Sequence, residues 1–303
     1  MQNKLSVAPP KQFDFKNTIF SHGWCALVPF AVTAKPLSLH TNLRMTPDKN
    51  YSVQYQMSGN KEILILIDSE KSVSKPDKDK IISFTQQIFS FKNDLSEFYR
   101  IAKTMEKFRW VVQKKAGRML CAPTFFEDVV KMILTTNCSW SLTTSMCKNL
   151  VKYCSDESDN NSPFPVAGQI AEKPEKFLRE KVKLGYRAPF VKKFAEDVVK
   201  GKIAIEQFRI STDSTVEIYK QLRNIKGVGD YAASNLLKLL GRFDYLGLDS
   251  WCRKKFYELH ANGKPVDDKK IEAHYAKYGN WKGLFLWLEL TREWYYKKNP
   301  FDE

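Results

Sequence analysis

The stretch from Leu222 to Phe256, LRNIKGVGDYAASNLLKLLGRFDYLGLDSWCRKKF, constrains this chain more than any other. A helix-length segment runs into Gly227-Val228-Gly229. A second begins at Asp230 and continues to about Leu240, and a lone acid, Asp249, follows between Leu248 and Ser250. Two helices joined by a glycine hairpin expose backbone N–H groups at the start of the second helix. Those groups and the helix dipole make a seat for one phosphate. Glycine suits both hairpin positions because the backbone there takes unusual dihedrals and approaches the phosphate where a Cβ would obstruct. One end of the segment can therefore hold a nucleic-acid backbone while the other presents a carboxylate.

The remaining composition agrees with a polyanionic partner. Lys plus Arg number 49 against 34 Asp plus Glu in 303 residues, a net charge of +15, which favours a partner whose affinity falls as salt rises. Charge alone does not decide this, since ribosomal and membrane-surface proteins share it. The six cysteines (Cys25, Cys121, Cys138, Cys147, Cys154 and Cys252) form no CxxC pair and no compact cluster, so neither zinc nor iron–sulfur spacing is present and no metal is expected. They read as reduced core thiols of an intracellular protein. The opening MQNKLSVAPPKQFDF has no apolar signal core, and the longest aliphatic run, Ile63 to Ile67, is too short for a membrane span. A soluble chain is expected, cytoplasmic and nucleoid-associated if bacterial, nuclear if eukaryotic. A nucleotide-binding GxxxxGK[ST] and the H-x-E and P-C-x-x-C elements of zinc deaminases are absent.

Hydrophobic patterning predicts an α+β fold. Thr18 to Val32 is apolar and aromatic. Leu37 to Met45, Tyr51 to Met57 and Glu62 to Ile67 are alternating or β-branched, with turn residues at Pro47-Asp48, Asn50 and Gly59-Asn60. These read as strands of an antiparallel sheet. The charged stretch Ser72 to Lys80 interrupts, and from Ile81 the period becomes helical. The expected division is an N-terminal antiparallel sheet domain with a helix, 1–105, and a helical body, 106–303, with the hairpin at about 215–240. Ser155 to Pro165 reads as a turn-rich loop.

The hairpin with its downstream acid resembles the helix-hairpin-helix (HhH-GPD) DNA glycosylase superfamily, closest to its 3-methyladenine glycosylase II and 8-oxoguanine glycosylase branches. Further segments follow in the family's order. They are Phe13 to Phe30, Asn93 to Tyr99, Ala122 to Leu150, Leu184-Gly185-Tyr186-Arg187-Ala188, and Asn280 to Phe285. The resemblance implies an HhH-GPD catalytic body, double-stranded DNA with a damaged base as partner, a monomer, no membrane, and no cofactor beyond a structural monovalent cation at the hairpin. The four-cysteine cluster of the endonuclease III branch cannot be built, because Cys252 is the last cysteine.

Cleaving an N-glycosidic bond requires stabilising an oxocarbenium-like sugar and delivering a nucleophile to C1′. Asp249 matches the family's catalytic aspartate, and it is equally placed to cap the helix that opens at Trp251. Tyr231 occupies the position where strand-cutting relatives carry a lysine. A tyrosine cannot form their Schiff base, so the resemblance implies a monofunctional enzyme using water, with the Tyr231 ring against the extruded base or packed on the helix. Trp24 and Trp281 are further base-pocket candidates, since electron-rich rings suit a cationic alkylated purine. Tyr186, Trp251 and Trp287 share that chemistry. Asn137, in the turn after Thr136, matches the residue that fills the vacated stack, as in the oxoguanine branch, or caps the following helix. Arg187, Lys226 and Arg253 can contact phosphate or form a solvated basic face. The leading expectation is a monofunctional glycosylase for alkylated purines. An oxidised-purine glycosylase and a catalytically silent DNA-binding hairpin protein are the alternatives.

Overall fold

A computed structural model describes residues 2–59, 61–69, 71–155, 162–297 and 299–302. Of the loop read from Ser155 to Pro165, residues 156–161 lie outside the described ones, as does Asn60 of the expected Gly59-Asn60 turn. The period-two stretches form β3 (Leu37–Thr46), β4 (Lys49–Ser58) and β5 (Glu62–Asp68), flanked by β1 (Gln2–Val7) and β2 (Ala31–Ala34). The sheet is antiparallel, in the order β1-β5-β4-β3-β2. Leu39, Leu43, Val53, Tyr55, Ile63, Ile65 and Ile67 are buried. Tyr55 stands opposite Leu39 on one side and Ile65 on the other, so a one-residue slip would turn this whole set to solvent.

Helix α1 (Lys75–Ile88) packs Ile81, Thr85 and Ile88 inward. It begins inside the charged stretch that reads as a break, because Ser74 caps it by accepting from the Asp77 amide and Pro76 suits a first turn. Two further differences from the sequence reading stand out. Thr18 to Val32 is mostly not strand: a short helix occupies Phe15–Ile19, a 3-10 turn occupies Gly23–Ala26, and β2 starts only at Ala31. Asp14 caps that helix, accepting from the Asn17 amide at 2.7 Å, and Ile19, Phe20, Trp24 and Leu27 are all buried, while the exposed positions, Ala26 and Ala31, are themselves apolar, so the segment shows no polar period. Strand β1 went unread, being short and pairing only at the sheet edge with β5.

The longer helices after α1 are α2 (Ser96–Thr104), α3 (Phe125–Thr135), α4 (Trp140–Cys154), α5 (Ala188–Val199), α6 (Thr215–Arg223), α7 (Asp230–Leu239), α8 (Ser250–His260), α9 (Asp268–Ala276) and α10 (Lys282–Leu290). Helix α3 is the axle of this body. Every residue from Phe125 to Leu134 is buried, including Glu127, Asp128 and Lys131, so its charges must be paired internally. Glu127 pairs with Lys131 at 2.6 Å and Asp128 with Arg209 at 2.8 Å. The Glu206 carboxylate accepts from the amides of Phe125 and Phe126, each at 2.9 Å, placing an anion at the N-terminus of α3. The C-terminal end of α3 is thereby held at the mouth of a cleft.

Candidate active site

Helices α6 and α7 meet at the Gly227-Val228-Gly229 hairpin and cross tightly. Gly227 has φ +94°, and a Cβ there would lie 2.8 Å from the Phe190 Cβ, so glycine is required for both backbone and space. Gly229 differs. Its φ is −84°, and an added Cβ would meet only the Arg223 Nη1 at 3.8 Å. Its value therefore lies in what approaches from outside. Val228 is buried and anchors the hairpin. Gly229 caps α7 with no side-chain hydrogen bond, which leaves the first amides of α7 for an external acceptor. Arg223, not singled out in the sequence, clamps the turn. Its Nη1 donates to the Val228 carbonyl at 3.0 Å and its Nε pairs with Asp230 at 2.8 Å. Tyr219 donates to the same Asp230 oxygen at 2.6 Å.

The hairpin forms one wall of a cleft of about 800 Å³ that Thr135, Asn137, Cys138, Tyr186, Lys226, Tyr231, Asp249 and Arg253 also line. Residues far apart in sequence are thus brought to one site. Asp249 is the N-cap of α8, its Oδ1 accepting from the Cys252 amide at 2.6 Å, which fixes the carboxylate and leaves Oδ2 outside the cap. Tyr231 is half-buried. Burial, and then the negative charge of Asp249, push its phenol well above the usual range, so the ring stays neutral beside the carboxylate. A cleft of about 600 Å³ on the far side of α6 is lined by Lys202, Phe208, Ile218 and Ile225 and holds none of these groups.

Asn137 projects from the turn between α3 and α4, exposed, with φ +48°, a conformation asparagine tolerates better than most residues. It is not a cap: Ser139 caps α4, accepting from the Leu142 amide at 3.3 Å. The turn is braced from beneath by the Arg187 Nη2, which donates to the Thr136 carbonyl, and by the Tyr186 hydroxyl, which donates to the same oxygen at 3.3 Å.

Several sequence candidates fall elsewhere. Arg187 is buried under the turn, its guanidinium 4.4 Å from the Tyr186 ring centroid, so it supports Asn137 instead of meeting phosphate. Lys226 is exposed at the cleft. Arg253 reaches the cleft with its fork engaged by Asp268 through two bonds of 2.8 Å. Trp24 is buried, donating from Nε1 to Asp128 at 2.8 Å, and Trp281 packs on Phe98 and Phe243 with centroids 5.4 and 5.5 Å away. Neither ring lines the cleft. The exposed aromatic that does is Tyr186. Along α8 and beyond it, Trp251, Trp287 and Trp294 cluster with centroids 5.6 to 6.1 Å apart. Beside them lies Lys238 of α7, another residue that went unread. Its buried ammonium donates to the Leu246 carbonyl at 2.6 Å and to Asn235 at 3.1 Å, and burial pulls its pKa down to about 8. Its only sequence signal is its place two turns after Tyr231 on the same helix.

The fold as a whole recurs in solved structures. A 3-methyladenine DNA glycosylase from Archaeoglobus fulgidus superposes with a TM-score of 0.74 over 96% of this chain and 99% of its own, at 17% identity. The fold is one shared with solved DNA glycosylases. Another glycosylase of this fold, the Clostridium acetobutylicum 8-oxoguanine glycosylase/lyase in complex with double-stranded DNA, superposes with a TM-score of 0.70 over 97% of this chain and 98% of its own, at 19% identity. In sequence, the chain is 22% identical over 252 residues to a DNA-3-methyladenine glycosylase of Bacillus subtilis, covering 78% of this chain and 82% of that one. No protein-family model matches the chain.

Proposed function

We propose that this protein is a monofunctional DNA glycosylase that extrudes a damaged purine, an alkylated one by preference, and hydrolyses its N-glycosidic bond. The observation that carries the reading is the single cleft holding the Gly227–Gly229 hairpin, the fixed carboxylate of Asp249 and, where an imine-forming enzyme would need an amine, Tyr231. The partner is duplex DNA. The hairpin amides take a backbone phosphate, Lys226 adds charge, and Asn137 enters the space left by the extruded nucleotide. Asp249 faces the sugar, offsets the positive charge that develops at C1′ and orients water. Tyr231 offers a neutral ring for the base to lie against.

An 8-oxoguanine-type glycosylase is the second reading, favoured by Asn137 and the Tyr186-Arg187 pair that supports it. Duplexes each bearing one lesion separate the two: release of 3-methyladenine or 1,N6-ethenoadenine should outpace release of 8-oxoguanine. Release of none of these, with DNA binding intact, would leave only a silent binding protein.

Two further outcomes follow from the geometry. With borohydride and a lesion duplex, the wild-type protein should form no covalent adduct, and strands should stay uncut until alkali is added. An adduct that disappears in Lys238→Met would instead make the buried amine of α7 the nucleophile. Gly229→Val should fold normally, because an added Cβ meets only the Arg223 Nη1, at 3.8 Å, yet bind an abasic-site duplex roughly tenfold more weakly, the worth of about one charge-assisted hydrogen bond. Unchanged affinity at fixed salt would remove the hairpin as the phosphate anchor.

A further inference from the structure

We propose that His260, His274 and Glu289 form a binding site for a divalent transition-metal ion of the zinc type, away from the cleft and independent of the glycosylase reading. The three residues come from α8, α9 and α10, and one ligand atom from each lies within 4.8 Å of the other two. His260 Nε2 stands 3.3 Å from Glu289 Oε1. Two ligands of one tetrahedral zinc with bonds of about 2.0–2.1 Å are separated by about 3.3 Å, so this pair already has that spacing. The imidazoles of His260 and His274 lie side by side, centroids 4.3 Å apart, against the Phe256 ring. His274 Nε2 is buried and has no hydrogen-bond partner among the described residues, a state that folded proteins avoid. A metal ion would satisfy that lone pair.

The carboxylate is also prepared. Tyr275 donates to Glu289 Oε2 at 2.7 Å, which orients the group and leaves Oε1 as the ligand oxygen, the kind of outer contact that tunes metal sites. Lys107 Nζ lies 3.0 Å from Oε1, on a side chain 40% exposed. Its ammonium also lies 4.8 Å from the Phe108 ring centroid, so an arriving ion must displace it from Oε1, and the partly exposed side chain gives it a path to solvent. Two imidazoles and one carboxylate suit zinc, and the exposed position of His260 leaves room for a water ligand. The ion would tie α8, α9 and α10 together at the opposite end of α8 from Asp249. The expectation of no metal rested on cysteine spacing, and this site uses none of the cysteines.

The test is titration of the full chain, stripped of metal by a chelator, with zinc by calorimetry and with cobalt by absorption. One ion per chain is expected, with a cobalt spectrum of nitrogen and oxygen ligands and no thiolate charge-transfer band. His274→Gln should weaken binding by at least about tenfold. Lys107→Met should strengthen it several-fold, because the competing ammonium is gone. Zinc should raise the melting temperature of the wild type but not of His274→Gln. The proposal is overturned by absence of saturable binding, by a thiolate spectrum, or by binding that neither substitution changes. Lys107→Met keeps the test decisive if His274→Gln does not fold.

Discussion

Asp249→Asn is expected to slow single-turnover base release by at least about 10²-fold, roughly 2.7 kcal/mol of transition-state stabilisation. The substitution is close to isosteric. Asparagine caps helices about as well as aspartate, so the bond from the Cys252 amide at 2.6 Å and the start of α8 should both survive. What disappears is the negative charge beside the sugar. Binding to an abasic-site duplex should change far less, because the hairpin amides and Lys226 supply the affinity, and a carboxylate near phosphate is if anything repulsive. Melting temperature should be close to wild type. Loss of activity with affinity and stability retained would place Asp249 at the reacting centre. Full activity in Asp249→Asn would remove the main chemical support for the glycosylase reading.

What the sequence reveals of this site divides along a physical line. The hairpin and its aspartate are local. Gly227 needs a positive φ and Asp249 needs an adjacent helix to cap, and both requirements are written within a few residues. The alternation that builds β3 to β5 is local too. Exposure is not local. Arg187 and Arg253 look like phosphate contacts in a one-dimensional reading, but Arg187 is spent on the Thr136 carbonyl and Arg253 on Asp268, partners 51 and 15 residues away. Trp24 and Trp281 fail as cleft residues for the same reason: an aromatic ring reads alike whether it faces a ligand or a core. The helix at Phe15–Ile19 is five residues long, with Lys16 exposed and Phe15, Thr18 and Ile19 buried, too short for a helical period to show. Lys238 and Arg223 carry no motif, and their roles depend on which carbonyls fold back onto them. The His260–His274–Glu289 cluster is assembled from three helices and has no spacing to detect.

The largest stability effect is expected at Asp128, far from the chemistry. Its side chain is fully buried and satisfies three donors at once: the Ala122 amide at 2.9 Å, the Trp24 Nε1 at 2.8 Å and the Arg209 Nη2 at 2.8 Å. Those donors come from the entry to α3, from the N-terminal segment that follows β1, and from the 3-10 turn before α6, so one carboxylate joins three parts of the chain. Asp128→Asn keeps the volume but leaves the Arg209 guanidinium, only 12% exposed, without its counter-charge. Breaking one partner of such a pair typically destabilises a protein by about 3–5 kcal/mol, whereas removing both is often close to neutral. Urea unfolding should therefore show a large fall for Asp128→Asn and partial recovery in the double variant Asp128→Asn, Arg209→Met, with the two substitutions clearly non-additive. Base release by the folded fraction should be little changed, since α3 meets the cleft only with its last residue, Thr135, about two turns beyond Asp128, and the Trp24 ring does not line it. A loss in Asp128→Asn below about 1 kcal/mol would mean that Arg209 finds compensation from Glu206, whose carboxylate lies 3.9 Å from the Arg209 Nε. In that case the Glu206→Gln change added to Asp128→Asn should restore the full penalty.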